Sequence, residues 1–497
     1  MMFVSLYTSR VVLEVLGIDD YGIYNVVGGI VAMFSFLSGT MSFTTQRFLT
    51  FSLGTGDEER THKVFCTSIN IHIIISIFFF LFAETIGLWF LNTCTSIPPD
   101  RMYASNWIYQ TSIISAIILF ISMPYNGVII AHEKMSTFAY ISIFEATLRL
   151  ALVVLLKYII IDKLILYAIL MLVVQLIIRI IYGVYCKHNF NECRYQYILD
   201  RPIFNAMLKF AGWSFYGGLA SVGVSHGLNI LLNVFFTPTI NAAYAIAQQI
   251  YSAVLNFINS FLTAVRPQIT KTCATQDHVR MSNIVLTSTK YSYYLTFILV
   301  VPLIFEIDPI LSIWLKEVPD YTACFVRWIL CISLIEVLAN PIITATNATG
   351  NIAKYQKIIG SMQLLVLPIS YISLKYISSP DVVFICQFIF TIIIHIVRLW
   401  VVSPIVNIPI RRYIKNVIWP VVLVTLISCI IPIIAHTRFD SYTLKGFMLL
   451  YGINIISILI TVWIVGINKS EKQFILNQSF AFINKIGLLS RSRKYNK

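Results

Sequence analysis

"GIYNVVGGIVAMFSFLSGTMSFTTQRFLTFSLGTGD" (residues 22–57) and "AAYAIAQQIYSAVLNFINSFLTAVRPQITKTCATQD" (242–277) share their two landmarks, a tyrosine in the third place and an aspartate in the last. Tyr24 and Tyr244, like Asp57 and Asp277, lie 220 positions apart (244 − 24 and 277 − 57). Each stretch is long and apolar and carries one arginine toward its end, Arg47 or Arg266, one position apart in the shared frame. Self-similarity at such a distance is the mark of a chain built from two related halves.

Composition sets the class. The 497 residues are 58% hydrophobic and 12% charged, against about 25% charged in soluble domains. Too little charge remains to cover a water-facing exterior, so the chain reads as a polytopic membrane protein. A spanning helix needs about 20 mostly apolar residues. Such runs lie near 22–53, 64–91, 104–131, 136–161, 163–187, 205–236, 239–270, 283–315, 322–348, 355–377, 380–403, 416–436 and 443–467. They are continuous rather than alternating, which excludes a transmembrane barrel. The stretch before residue 22 is apolar but short; in the 220-residue frame the first helix reads as shortened by about four turns.

The net charge of +14 is a topology signal rather than a nucleic-acid signal. Lysines and arginines gather in alternate loops, among them Arg60, Lys63, Lys134, Lys187, Lys209, Lys271, Arg280, Arg411 and Arg412. The opposite loops are richer in acid, with Asp19, Asp20, Asp100, Asp162, Asp320 and Asp440. Cytoplasmic loops carry the excess of lysine and arginine. The basic ends, and with them both termini, are therefore expected on the cytoplasmic side, beside anionic lipids. The cysteines show no CxxC or CxxH spacing, so no metal site is expected, and no cofactor.

Charged groups within the apolar runs are the candidate functional residues, because burying them in hydrocarbon is costly. Arg47 and Arg266 can each snorkel to headgroups. Their matching places in two halves favour a shared role, and a guanidinium pair suits a diphosphate. Arg10 pairs most simply with Glu14 at i,i+4, as Arg149 does with Glu145. Glu336, ahead of Asn340–Pro341, sits where a kinked helix could hold a proton or cation. Glu306 and Asp308, beside Pro309, read as edge residues. The glycines of "AGWSFYGGLASVGVSHGLN" (211–229) read first as close helix packing. No P-loop, HExxH or GxSxG appears, so no enzyme is expected.

"R-x5-LG-x3-YG-x-Y" from Arg10, followed by "QRF" (46–48), "G-x-GD" (54–57), "FAGWSFYGGLA" (210–220) and "YAIAQQIYSAVLNFINSFLTAVRPQITK" (244–271), resembles bacterial polysaccharide flippases for O-antigen or capsule. These belong to the superfamily of MATE exporters and lipid II flippases. The resemblance implies an all-α polytopic membrane protein with two six-helix lobes in a MATE-like V shape and two further C-terminal helices. On this chain the divisions are an N-lobe at 1–187, a linker at 188–204, a C-lobe at 205–403, extra helices at 404–467 and a basic tail at 468–497. It further implies alternating-access flipping of polyprenyl-diphosphate-linked oligosaccharide, with a polysaccharide polymerase as a further partner. Arg10, Arg47 and Arg266 lie where substrate-binding cations of related flippases are expected, although register with the lipid II flippases fails when counted from Gly17. A MATE-type cation or drug exporter is the main alternative, and a membrane enzyme of polysaccharide assembly a lesser one.

Overall fold

The computed structural model describes residues 8, 11–12, 14–17, 20–24, 27–28, 35–94, 97–158, 162–236, 238–315, 317–439, 443–469, 471–473 and 477. Among these the ordered elements are all helical. We number the long helices α1 Ser35–Thr55, α2 Glu58–Thr93, α3 Pro99–Ala131, α4 Met135–Leu156, α5 Lys163–Asn189 and α6 Arg201–Phe235. There follow α7 Pro238–Ala274, α8 His278–Phe305, α9 Thr322–Thr349, α10 Ala353–Tyr376, α11 Asp381–Val406, α12 Ile410–His436 and α13 Lys445–Gly466. Eleven of them are long and apolar enough to cross a membrane; α1 and α7 are the two more polar ones. Arg10 and the beginning of the first helix lie outside the described residues.

Helix is what a bilayer demands, since hydrocarbon offers the backbone no hydrogen-bond partner. Where helices meet water, side chains take over the free N–H groups. Asp57 accepts from Arg60 N at 2.8 Å and Asp277 from Arg280 N at 2.9 Å. Asp162 caps α5 by accepting from Leu164 N at 3.0 Å. Exposed apolar side chains such as Leu426, Ile430 and Ile434 on α12 form a surface suited to lipid rather than water.

The chain divides into two compact units. The first is Met1–Val222 with Thr263–Met281 and Thr344–Ser361; the second is Gly223–Leu262 with Ser282–Ile343 and Met362–Lys497. In the first unit, Leu49, Val64, Phe65, Cys66, Val128, Ile129, Val174 and Ile178 close one core from α1, α2, α3 and α5. At its acidic end Arg101 pairs with Asp20 and Asp162, both at 3.0 Å, and Lys157 with Glu14 at 3.1 Å. Arg149 pairs with Glu145 as the i,i+4 spacing predicts.

In the second unit Lys290, 3% exposed at its side chain, pairs with Glu471 at 2.7 Å just beyond α13. Glu306 departs from expectation: it is fully buried, and His436 pairs with it at 2.8 Å. The helix breaks after Phe305 and restarts as Ile307–Trp314, which turns Glu306 inward instead of leaving it at the edge. Of the α6 glycines, Gly217 in the first unit and Gly227 in the second pack closely, whereas Gly212 has open space beside it. A Cβ at Gly217 would strike the Gln356 side chain, and one at Gly227 would lie 2.6 Å from Leu367 Cδ2.

Candidate functional site

The two expected arginines meet inside the first unit. α1 runs through Arg47 and ends at the turn before Asp57, while α7 runs through Arg266 and ends at the turn before Asp277. The two turns are built alike. Gly56 and Gln276 both take left-handed backbone, φ 73° and 57°, and each precedes an aspartate cap. The helices approach so closely that a Cβ on Gly54 would lie 2.8 Å from Ala274 Cβ and 3.0 Å from Lys271 Cα. Residues 54 and 274 are themselves 220 apart, so the repeat meets at equivalent positions.

Just behind this contact lies a crevice of about 10 Å³ lined by Phe43, Gln46, Arg47, Thr50, Arg266, Thr270, Thr344, Asn347 and Ala348. That is room for barely one water, so the crevice is shut to a diphosphate in this conformation. Arg266 places its guanidinium 6.0 Å from the centre of the Phe43 ring.

Arg47 is engaged. Its Nε donates to Asn347 O at 3.2 Å and its Nη2 to Ala348 O at 2.7 Å. These carbonyls belong to the last turn of α9, where helix geometry leaves acceptors unsatisfied and the macrodipole favours a cation. Gly350 makes the approach possible: its φ is +79°, and a Cβ there would sit 2.7 Å from Arg47 Nη2. Phe48, Phe51 and Phe210 surround the guanidinium at 4.5, 4.9 and 5.6 Å, within cation–π range. Phe51 follows from the i,i+4 spacing on α1; Phe210 comes from α6.

On its other side Arg47 lines an open pocket of about 550 Å³. Arg60 and Lys209 bring two more cations, and Phe48, Phe51, Phe210 and Trp213 supply aromatic walls. Among the described residues that line it there is no aspartate or glutamate. Sequence reading treated Arg60 and Lys209 as topology markers; their convergence requires α2 and α6 to be placed side by side.

Glu336 belongs to the second unit, on α9 just before the helix breaks at Leu338–Ala339. Pro341, lacking an N–H, cannot continue the ladder. Tyr251 OH donates to the Glu336 carboxylate, and Arg398, buried on α11, is the nearby positive charge. Tyr413 OH donates to Leu338 O at 3.3 Å, satisfying a carbonyl at the break, and lies 3.4 Å from His395 Nε2. Tyr251, His395, Arg398 and Tyr413 were not singled out as site residues, since their roles appear only when distant helices pack. Among the described residues no group of His, Cys, Asp and Glu could hold a metal ion.

Solved structures share this architecture. A multidrug-resistance MATE-family transporter of the MOP superfamily, in an outward-facing conformation, superposes with TM-score 0.69 at 13% identity, over 82% of this chain and 92% of its own. A MATE in a bent conformation gives TM-score 0.69 at 14% identity, over 81% and 91%. A MOP-superfamily transporter from Pyrococcus furiosus, whose reversed pocket polarity suggests a different function, gives 0.67 at 13%, over 82% and 93%. At such identities the likeness establishes the fold, which is all-α, polytopic and MATE-like. No curated protein matches the sequence. The family model for polysaccharide biosynthesis proteins matches residues 3–273, more than half of the 497 residues, and the chain belongs to that family.

Proposed function

We propose that this protein flips polyprenyl-diphosphate-linked oligosaccharide across the bacterial cytoplasmic membrane by alternating access, for O-antigen, capsule or exopolysaccharide assembly. The basic helix ends face the cytoplasm in this reading, and the linked sugar crosses from that side. A diphosphate carries charge that hydrocarbon rejects, so its route needs fixed cations. The observation that carries the proposal is the placing of Arg47 and Arg266 in one crevice at the meeting point of the two repeats. Both present planar guanidinium forks suited to phosphate oxygens. Their crevice is closed here, so binding requires α1 and α7 to separate at Gly54. Arg47 then exchanges the carbonyls of Asn347 and Ala348 for substrate oxygens.

Glu336, held by Tyr251 at the break in α9, is the ion-coupling residue of this scheme. The proton or cation it exchanges would bias the helix between two arrangements. A polysaccharide polymerase receives the flipped unit on the opposite face.

The test is genetic and chemical. Deleting the gene in its host should accumulate polyprenyl-diphosphate-linked oligosaccharide, read by mass spectrometry. The wild-type chain should relieve the accumulation. R47Q/R266Q, at equal abundance in the membrane, should not. Relief by the double variant would remove the two arginines from the mechanism. Absence of accumulation, combined with a gain of drug efflux on expression, would favour the cation-exporter reading.

A further inference from the structure

The closed crevice poses a problem for any anionic substrate, because Arg266 is out of reach until the helices part. The open pocket beside it offers an answer. It has about 550 Å³ and, among the described residues that line it, three cations and no acid. Neither the Arg60 guanidinium nor the Lys209 ammonium is engaged by a carboxylate or carbonyl among the described residues, and both side chains are exposed. Water screens exposed like charges from one another, so they can share one concavity, and an anion entering it is attracted by all three.

Beyond the cations the walls are apolar. Phe48, Phe51, Val64, Ile203, Phe210 and Trp213 surround the charges. Such a pocket matches an amphiphile: a phosphorylated head with an apolar chain or a sugar ring next to it. Aromatic faces suit both the apolar faces of sugars and hydrocarbon. Inorganic phosphate would use the cations alone, leaving the aromatic walls unused.

The third observation is continuity. Arg47 lines both the open pocket and the closed crevice, and is the one charged residue common to the two. Its present partners are two neutral backbone carbonyls. A diphosphate arriving beside Arg60 and Lys209 offers Arg47 charged acceptors instead, and charge-assisted hydrogen bonds are roughly twice as strong as neutral ones. The incoming head group thus interacts differently with the docked and released states of Arg47, which is the requirement for shifting an equilibrium between them.

We propose that the pocket between α2, α6 and the Thr349–Ala353 loop is a loading site for a lipid-linked diphosphate. Arg60 and Lys209 take the head group first, and Arg47 leaves the end of α9 to hand it toward Arg266. The proposal deepens the flippase reading and rests on it for the identity of the cargo.

The test uses the full chain in nanodiscs of neutral phosphatidylcholine, with farnesyl diphosphate as the probe and calorimetric titration as the readout. Wild type should bind saturably. R60Q/K209Q should bind roughly 10- to 100-fold more weakly, with unchanged thermal unfolding because both side chains are exposed. Farnesol, lacking the diphosphate, should not compete, and phosphatidylglycerol at the same concentration should displace little of the probe. Equal binding by R60Q/K209Q and wild type would overturn the proposal. So would full displacement by phosphatidylglycerol, which would make the pocket a phospholipid headgroup site.

Failure here is separable from failure of the flippase reading. If farnesyl diphosphate binding ignores Arg60 and Lys209 while the deleted host still accumulates linked oligosaccharide, the loading site falls and the function stands. In that host R60Q/K209Q should relieve accumulation only when expressed well above the wild-type level, whereas R47Q/R266Q should fail at every level. Full relief by R60Q/K209Q at low expression would also contradict a loading role.

Discussion

Two pockets of the first unit share the start of α2 as a wall and carry opposite charge. One, of about 460 Å³, is lined by Asp57, Glu58, Glu59 and Glu192 with His62 and His132, and by no lysine or arginine among the described residues. The other holds Arg47, Arg60 and Lys209 and, among the described residues, no acid. Helical periodicity separates the signs: Arg60 and Val64, four apart, share the face that lines the basic pocket. The difference lies in what the charges are already doing. Asp57 caps α2, acids in a first turn suit the helix dipole, and Glu59 pairs with Lys63 at 2.6 Å. Glu192 pairs with His132 at 2.5 Å, and His62 Nδ1 lies 3.0 Å from Glu192 O. The acidic pocket is therefore explained by the way the chain folds. Among the described residues the charges at Arg60 and Lys209 have no such employment, and this is why the basic pocket, rather than the acidic one, reads as a site.

The largest expected effect breaks the comparison directly. Charge reversal by R60E/K209E should weaken farnesyl diphosphate binding by about 100-fold or more, since attraction becomes repulsion. E58K/E59K, across the same helix start, should change it by no more than about twofold, although it alters net charge by as much in the other direction. Equal responses would mean that overall charge, and not the pocket, governs binding.

Next comes the closed contact between the repeats. Gly54→Leu inserts a side chain where even a Cβ would lie 2.8 Å from Ala274. Overpacking of this kind costs about 1–3 kcal/mol. Thermal unfolding should fall by several degrees, and a cysteine placed at 266 should become more reactive to a water-soluble thiol reagent in an otherwise cysteine-free chain. An unchanged melting point with unchanged reactivity would show that the α1–α7 contact does not close the crevice.

Gly350→Ala should act on Arg47 alone. Left-handed backbone disfavours alanine by about 1 kcal/mol, and the added methyl crowds Nη2 at 2.7 Å. Weakened docking leaves Arg47 freer for an anion, so farnesyl diphosphate should bind a few-fold more tightly even as stability falls. Weaker binding would mean that the docked arginine is the binding form.

The smallest effect belongs to the acidic pocket. Burial alone would raise the Glu192 carboxyl above its ordinary value, but the hydrogen bond from His132, the local backbone and the nearby His62 together hold it lower. A depressed folded value means that the charged carboxylate stabilises the fold above the ordinary carboxyl range, near about 4.3, and that this share is lost as pH falls through the folded value. Glu192→Gln should therefore lower the melting temperature at pH 7, by an amount equivalent to about 1 kcal/mol. The gap to wild type should narrow below about pH 4. A gap that is constant with pH would remove the charge from the explanation.

Much of the fold was legible in the sequence because a bilayer leaves few options: continuous apolar runs longer than a bilayer is thick must be helices. The repeat was legible through Tyr24, Asp57 and their counterparts, and the matching caps at Asp57 and Asp277 show what the aspartates do. The partners of Arg47 were not legible. Backbone carbonyls leave no residue-type signature, and those of Asn347 and Ala348 lie some 300 residues away along the chain. Arg60 and Lys209 were visible only as members of the basic side, since a loop-charge count cannot tell a solvated lysine from one facing a pocket. Glu306 was misread because a helix break, which turns its carboxyl toward His436, looks in sequence like a helix end.

The most direct measurement is transfer itself. Purified chain in sealed vesicles, loaded with a polyprenyl-diphosphate-linked oligosaccharide in the outer leaflet, can be assayed by the fraction of glycan that becomes protected from an external glycosidase. The account predicts time-dependent protection with wild type and only the protein-free background with R47Q/R266Q at equal incorporation. Equal protection by both proteins, or none by well-folded wild type supplied with proton and sodium gradients, would contradict it.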